Sequence, residues 1–502
     1  MGLYDYTLYS VFERNAKVYG NRDAWVCGEQ RLTHKQYLEE VNKLAKGLLE
    51  QGIKKGDRIG VLAQNSIEYA LLYGACAQTG TILLPVNWRL QAEEIEYIIG
   101  DATPAIMCAG EEFQEQVSAL AEKNNLTGKC YAIGEAKSGF KPFSSLLEND
   151  GECPAIDVAA TDDYLIIHTA AVGGHPRGAT LSHQGLIVSN LQSTAYWHFS
   201  PDDCHLILLP LFHLAGLGMM LSVNHAGGKN VIMAKFEPDT VLNLIEQEKV
   251  SAFGTFPPIL QTLLDLNEKL KRDISSLRAL SGLEPPEVVK KYEELTGGTF
   301  WTAFGQTETS GFVTRAPYFE RPGSAGTPSI AAEVEIMDEE GNILPSGQTG
   351  EIVVRGPMVF KGYWNLPEDN AHTFRFGWHH TGDKGKFDED GYLFYMGRMP
   401  EKELIKPGGE NVYPAEVEQT LCEHPLVKEA SVIGVPDNKW GEAIKAICVL
   451  EVGAALDKVE LIEFVASKIA RYKKPHHVEY VEALPKLEDG EIDRDKVKAE
   501  HG

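Results

Sequence analysis

The chain has 502 residues, more than one hydrophobic core usually serves, so two or more domains are expected. Its 43% hydrophobic and 24% charged residues are typical of a globular enzyme, and no low-complexity tract suggests disorder. A net charge of −25 with no basic stripe argues against a nucleic-acid partner and requires any nucleotide site to gather its positive groups locally.

The first ten residues carry no basic region followed by an apolar run, so no signal peptide is expected and a cytoplasmic location follows. Arg58 to Ala63 reads as a strand, Ser66 to Gln78 as a helix and Thr81 to Val86 as the next strand, a β-α-β order that predicts an α/β fold. Leu206 to Val223 runs 18 residues without a formal charge. Pro210, His213, Gly216 and Gly218 interrupt it, so it is expected to be a buried strand and loop of the core, with no membrane span. From about Glu333 the pattern shifts to short strands, Glu333 to Met337 and Gly350 to Arg355, which predicts a smaller β-rich unit. Glycine and charge cluster between Gly391 and Gly409, marking a domain boundary. Beyond it, Ala415 to Cys422 and Lys458 to Ile469 read as helices, with Ala430 to Val435 and Ala446 to Glu451 as strands. They make a compact α+β unit of about 100 residues. The eight cysteines are scattered without a C-x-x-C pair and are expected to be reduced and buried. His379-His380 and His476-His477 are adjacent pairs whose side chains need not converge on one metal.

Thr169 to Gly178 is a glycine-rich segment after the strand-like Tyr164 to His168; alone it reads equally as a tight turn or as a phosphate cradle. It is followed in order by Phe304-Gly305-Gln306-Thr307-Glu308, Trp378 to Asp383, Gly397-Arg398 and Lys406 to Pro414. This ordered series, spanning roughly Tyr164 to Arg494, resembles the adenylate-forming superfamily of acyl-CoA synthetases, peptide-synthetase adenylation domains and luciferases. The resemblance implies a large multi-layer α/β N-terminal domain with a β-rich subdomain over residues 1–398, a hinge at 399–402 and a small mobile α+β C-terminal domain over 403–502. It also implies two reactions in one cleft. A carboxylate attacks the α-phosphate of ATP, releasing pyrophosphate, and a thiol then displaces AMP from the acyl-adenylate.

Residue by residue, the resemblance makes Glu308 the holder of Mg²⁺ and Thr307 the hydroxyl on the α-phosphate. Phe304 becomes the ring stacked on adenine, and Asp383 and Arg398 the ribose-binding pair. Thr169, Gly173, Gly174, His175, Arg177 and Gly282 join them around the nucleotide. Pro210-Leu211-Phe212-His213 resembles the motif whose histidine borders the acyl tunnel, and Leu283 and Trp301 fall near that tunnel. Read without the resemblance, a histidine in an apolar run is as readily a hydrogen-bonded core residue. Lys406, Gly408 and Gly409 match the loop that faces the pantetheine arm of CoA. The pivot of the domain rotation falls on Pro400, Glu401 or Lys402, and counting back from the glycines selects Lys402.

Two departures fall on the nucleotide-activating machinery. The phosphate loop has Ala170 and Val172 where the family has hydroxyl residues, and Arg177 where it has lysine. In Pro485 to Arg494, Glu491 occupies the position of the lysine that assists adenylation. A carboxylate there repels the α-phosphate, where one lost donor already costs about 3 kcal/mol. Lys486 is the nearest substitute, with Lys473 and Lys474 as others. The expected function is an AMP-forming acid–CoA ligase that interconverts acid, ATP and CoA with acyl-CoA, AMP and pyrophosphate, with the thioester half-reaction or the reverse direction as its favoured part. A ligase loading a carrier protein and a non-catalytic binder of nucleotide or acyl-CoA are the alternatives.

Overall fold

The computed structural model describes residues 2–169, 176–399, 404–437, 439–487 and 492–502. Two large sheets and the helices between and around them make up the first two-thirds of the chain. One sheet runs in the order Thr327–Pro328, Gly311–Pro317, Thr299–Gln306, Ala279–Gly282, Ala252–Thr255, Cys204–Ile207, Lys229–Ile232, Asp23–Cys27, Gln30–Thr33. The other runs Gly362–Tyr363, Arg177–Ser182, Asp163–Thr169, Ile82–Pro85, Arg58–Leu62, Ile106–Gly110, Cys130–Ile133, Lys141–Pro142.

Helix Ile67–Thr79 carries apolar residues on every side, and nearly all of it is buried among residues drawn from both sheets. A helix hydrophobic all round has no solvent face, so it belongs in the interior layer. Ser66 caps its N-terminus by accepting from Tyr69 N–H, and Gly80 ends it in the left-handed conformation. Amphipathic helices Pro238–Glu248, Ile259–Leu270 and Pro286–Thr296 pack one face on the outside of the first sheet. Helices Ala92–Ala102 and Gln114–Ala121 do the same on the second. The result is a layered α/β body, as expected.

The strands Glu333–Met337, Gly350–Arg355, His379–Phe387 and Leu393–Arg398 form a separate antiparallel sheet around Val334, Ile352 and Leu393. Val427–Asp437, Gly441–Leu450 and His477–Tyr480 form a last sheet, with Pro414–Cys422 and Lys458–Lys468 packed on a core that includes Ile405, Val432, Ala446 and Val465.

Two expectations need correction. The uncharged stretch is a strand, Cys204–Ile207, then the helix Leu214–Ala226, where a loop had been expected. Gly216 is compatible with that helix because a Cβ there would lie 2.5 Å from the Pro210 carbonyl oxygen. The cysteines are all free, but Cys422 is exposed and Cys27 and Cys153 are only half-buried. His380 is held by Glu351, Nδ1 to carboxylate at 2.7 Å, and among the described residues no cluster of three metal-ligating side chains exists.

Candidate active site

The site lies where strand ends from the two large sheets and the small antiparallel sheet converge. Thr307 and Glu308 follow directly on strand Thr299–Gln306, in a single 3-10 turn that buries both. Glu308 Oε1 accepts from the Tyr363 hydroxyl at 2.9 Å and from the Thr169 hydroxyl at 3.3 Å. Arg177, opposite Thr169 in the antiparallel pair, lies 4.1 Å over the Tyr363 ring and pairs with Asp369 at 2.8 Å. Thr169, Arg177, Thr307 and Glu308 are therefore brought together, bridged by a tyrosine that no motif had marked.

Asp383 and Arg398 face each other across adjacent strands, with guanidinium Nε 3.3 Å from the carboxylate. Gln306 Nε2 donates to the other carboxylate oxygen at 2.5 Å and to the Thr381 carbonyl at 2.9 Å, so the residue between Gly305 and Thr307 ties the Asp383–Arg398 pair to the turn that carries Thr307 and Glu308. The Tyr395 hydroxyl donates to Asp383 at 3.4 Å. Phe304 is 8% exposed, and its ring lies 6.4 Å from that of Tyr395 at 31°.

His213 is the N-cap of helix Leu214–Ala226, its Nδ1 accepting from Ala215 N–H at 3.1 Å. Burial, with Lys406 and Arg89 nearby, pushes its pKa down to about 4. The neutral ring thus carries its proton on Nε2 as a donor. Lys406 belongs to the last segment of the chain, so that segment reaches the N-terminal body here. Burial, then Arg398, pushes the Lys406 ammonium down to about 8 even though solvent still reaches it in the cleft. Gly408 and Gly409 hold positive φ, and a Cβ on Gly409 would press 2.9 Å from the Phe256 ring, so side chains are excluded from this approach. Arg89 pairs with Glu410 in the same loop. Tyr413 is buried within electrostatic reach of Arg398, Glu308, Arg177 and Asp383. Tyr363 and Tyr395 fall outside the motifs read from the sequence, while Gln306 and Tyr413 lie within them but had been given no role.

Gly282 has φ +154 and a Cβ position 1.7 Å from the Thr255 carbonyl oxygen, so no side chain is tolerated there. Leu283 is 51% exposed at the cleft, and Trp301 packs against the cluster of Trp197 and Met219. Gly173, Gly174, His175, Lys402 and Glu491 lie outside the described residues. Lys486 pairs with Glu429 at 3.0 Å, within the last unit.

Glu284, beside this loop, accepts from the Thr255 hydroxyl at 2.7 Å and from Leu260 N–H at 3.4 Å, while its second oxygen is buried without a partner. Burial pushes its pKa up to about 7. An acid whose folded pKa is raised contributes stability fully present below the ordinary carboxylate range and lost as pH rises through 7. Glu284→Gln keeps the acceptor and never ionises, so it should raise the melting temperature at pH 8 but not at pH 5. The gain corresponds to at most about 3 kcal/mol. Equal melting shifts at both pH values, measured by calorimetry, would remove Glu284 as the titrating group.

Comparison with known proteins agrees with this geometry. The AMP-binding enzyme family matches residues 12–364, and the AMP-binding enzyme C-terminal domain matches 416–491. A feruloyl-CoA synthase from Amycolatopsis sp is 34% identical over 97% of this chain and 98% of its own length. A double mutant of o-succinylbenzoate CoA synthetase (MenE) from Bacillus subtilis, bound to the product analogue OSB-NCoA, superposes with a TM-score of 0.86 at 26% identity, covering 99% of each chain. ATP-bound MatB from Rhodopseudomonas palustris, 29% identical over 99% of each chain, gives 0.72. No helix among the described residues is long and apolar enough to cross a membrane. The chain belongs to the AMP-binding enzyme family and is an acid–thiol ligase of the CoA-ligase type, taking ATP and CoA as substrates.

Proposed function

We propose that this ligase is held here in the arrangement that forms the thioester, with residues 1–398 and 403–502 as its two domains and Lys402 as the pivot between them. The observation that carries this reading is the seat of Lys406 to Tyr413. Its two glycines lie against Phe256 and Pro257, Lys406 acts on His213, and Tyr413 stands among the groups assigned to the nucleotide. The higher superposition with the structure carrying a CoA-type product analogue than with the ATP-bound one supports the same pose, although identity runs the other way.

Each residue then has a task. Asp383 accepts from the ribose hydroxyls, with Arg398, Gln306 and Tyr395 fixing its two oxygens. Thr307 and Arg177 donate to phosphate oxygens. A divalent cation fits, because Glu308 is a buried carboxylate and Mg²⁺ prefers one or two carboxylates plus substrate phosphates to an all-protein cage. Bound there, Mg²⁺ would neutralise charge on the phosphates during adenylation. His213, neutral with Nε2–H as donor, orients the acyl carbonyl oxygen. The CoA thiol gives up its proton to solvent, its sulfur attacks that carbonyl carbon, the carbon–sulfur bond forms, and AMP leaves with the electron pair of the broken carbon–oxygen bond.

Single-turnover assays of each half-reaction test this reading, with AMP and acyl-CoA identified by mass spectrometry. Thioester formation from supplied acyl-adenylate should be the faster step in the native chain. Glu491→Lys, which restores a cation at the family's adenylation position, should accelerate adenylation by about tenfold and leave thioester formation unchanged. Transfer to a carrier protein but not to CoA would replace CoA as the acceptor. Equal rates of both steps in both proteins would remove Glu491 from the first step.

A further inference from the structure

His379 opens strand His379–Phe387, four residues before Asp383, and is 1% exposed. The rings of Phe360 and Phe374 pack against it with centroids 5.2 and 6.3 Å away. A buried imidazole between phenyl rings must still satisfy its two nitrogens, and both meet polar side chains. Nδ1 lies 3.1 Å from the Thr373 hydroxyl, and Nε2 lies 3.3 Å from Gln306 Oε1.

The direction of each hydrogen bond in this chain follows from its far end. The Asp383 carboxylate and the Thr381 carbonyl are acceptors, so the Gln306 atom that faces both, at 2.5 and 2.9 Å, must be the amide nitrogen. The amide oxygen then points at His379 and requires a donor there. A ring protonated at Nε2 supplies it, which in the neutral form leaves Nδ1 to accept from Thr373. The other acceptor within reach of the Thr373 hydroxyl, the His380 carbonyl, is farther away at 3.4 Å.

What this chain controls is one carboxylate oxygen. Arg398 Nε lies nearest Asp383 Oδ1, and the Tyr395 hydroxyl donates to the same atom. Among the described residues, the hydrogen bond that Oδ2 accepts comes from Gln306. The backbone of the strand is secured by other groups. Gly382 N–H donates to Glu351 at 2.8 Å, Asp383 N–H to the Thr381 hydroxyl at 3.2 Å, and that hydroxyl to the Ile352 carbonyl at 2.6 Å. Loss of the His379 donor would therefore leave the strand in place and free the Gln306 amide to turn over. A turned amide sets its oxygen against the carboxylate, which repels it.

We propose that His379 is a positioning residue for the nucleotide: its Nε2–H fixes which face of the Gln306 amide meets Asp383, and Gln306 in turn fixes a carboxylate oxygen that accepts from ribose. The inference rests on the ligase reading above, in which Asp383 receives the ribose hydroxyls.

Calorimetric titration with AMP tests it in a double-substitution cycle. His379→Phe keeps a ring between Phe360 and Phe374 but removes the donor, and should weaken AMP binding by about tenfold. His379→Gln, whose amide nitrogen can stand near the place of Nε2, should recover part of that loss. Gln306→Met removes the amide, and in that background His379→Phe should cost nothing further. A role in packing alone would cost the same in both backgrounds and would not be rescued by glutamine. That result, or an unchanged AMP dissociation constant in His379→Phe, would overturn the proposal. If the native chain binds no AMP, the ligase reading fails separately; in that case, or if His379→Phe does not fold, nitrogen NMR of histidine-labelled protein decides the positioning, with the His379 signals assigned by their absence in His379→Gln. A protonated Nε2 whose signal moves in Gln306→Met would support it. A bare Nε2, or one indifferent to Gln306→Met, would sink it.

Discussion

Asp383→Ala should weaken AMP binding by about a hundredfold or more, because two charge-assisted hydrogen bonds to ribose, each worth about 1.5 to 3 kcal/mol, are lost together. The surroundings of the carboxylate enlarge the effect. Arg398 Nε stands 3.3 Å from it, mostly buried, and would be left facing an empty site as an uncompensated cation. Gln306 would lose its acceptor and with it one tie between position 383 and the turn that carries Thr307 and Glu308. Asp383→Asn separates these contributions. It keeps one acceptor for ribose but removes the charge that balances Arg398, so its affinity should fall between native and alanine. Isothermal titration with AMP decides the matter, with CoA titration as the internal control, since CoA should bind all three proteins alike if the fold survives. An unchanged AMP dissociation constant in Asp383→Ala would remove this residue from the site, whatever its contacts.

The layered body was legible in the sequence because buried strands and amphipathic helices carry their periods openly: Gly350 to Arg355 and Glu333 to Met337 coincide with the observed strands. Helix Leu214–Ala226 was not, for a physical reason. It is buried over most of its surface, so its apolar residues show no 3.6-residue period, and its glycines read as interruptions when Gly216 is a point of close approach and Gly218 one of open space. The ordered motifs found the polar groups that nucleotide chemistry needs, and Thr169, Arg177, Thr307, Glu308, Asp383 and Arg398 do converge. What spacing could not supply were the residues that hold those groups. Tyr363 reaches Glu308 from a strand paired with Arg177–Ser182, and Gln306 reaches Asp383 across 77 positions. Such partners are set by sheet register and carry no local signal. Lys473 is a further case, since its sequence position suggested an adenylation role and its environment gives it another task in this pose.

That task bears on the last expected result, charge reversal at Glu94. Lys473 has a side chain only 3% exposed and donates to Glu94 at 2.5 Å and to Glu416 at 2.6 Å. Glu416 belongs to the same unit as the lysine, whereas Glu94 stands at the start of helix Ala92–Ala102 in the N-terminal body. The contact is reinforced from both sides: Ala470 N–H donates to Glu94 at 3.1 Å, and Gln91 Nε2 to the Ala466 carbonyl at 3.3 Å. A buried ion pair broken on one side costs about 3 to 5 kcal/mol. Glu94→Lys sets two ammonium groups against each other at this seam and should therefore drive the C-terminal unit out of the described arrangement. On the reading that this arrangement forms the thioester, attack of CoA on supplied acyl-adenylate should slow by about a hundredfold or more. Single-turnover adenylation should hold or rise, since Thr307, Glu308 and Asp383 are untouched and the competing pose is disfavoured. Glu94 also accepts from Gln91 N–H at 2.8 Å as part of the helix cap, so its replacement costs about 1 kcal/mol of stability independent of the seam. Glu94→Gln controls for that, because it keeps the capping acceptor while removing the charge, and should give a smaller effect of the same selectivity. Loss of stability alone would lower both half-reactions together. If Glu94→Lys does that, or leaves both unchanged, the contact is a static seam, and the two poses are balanced elsewhere.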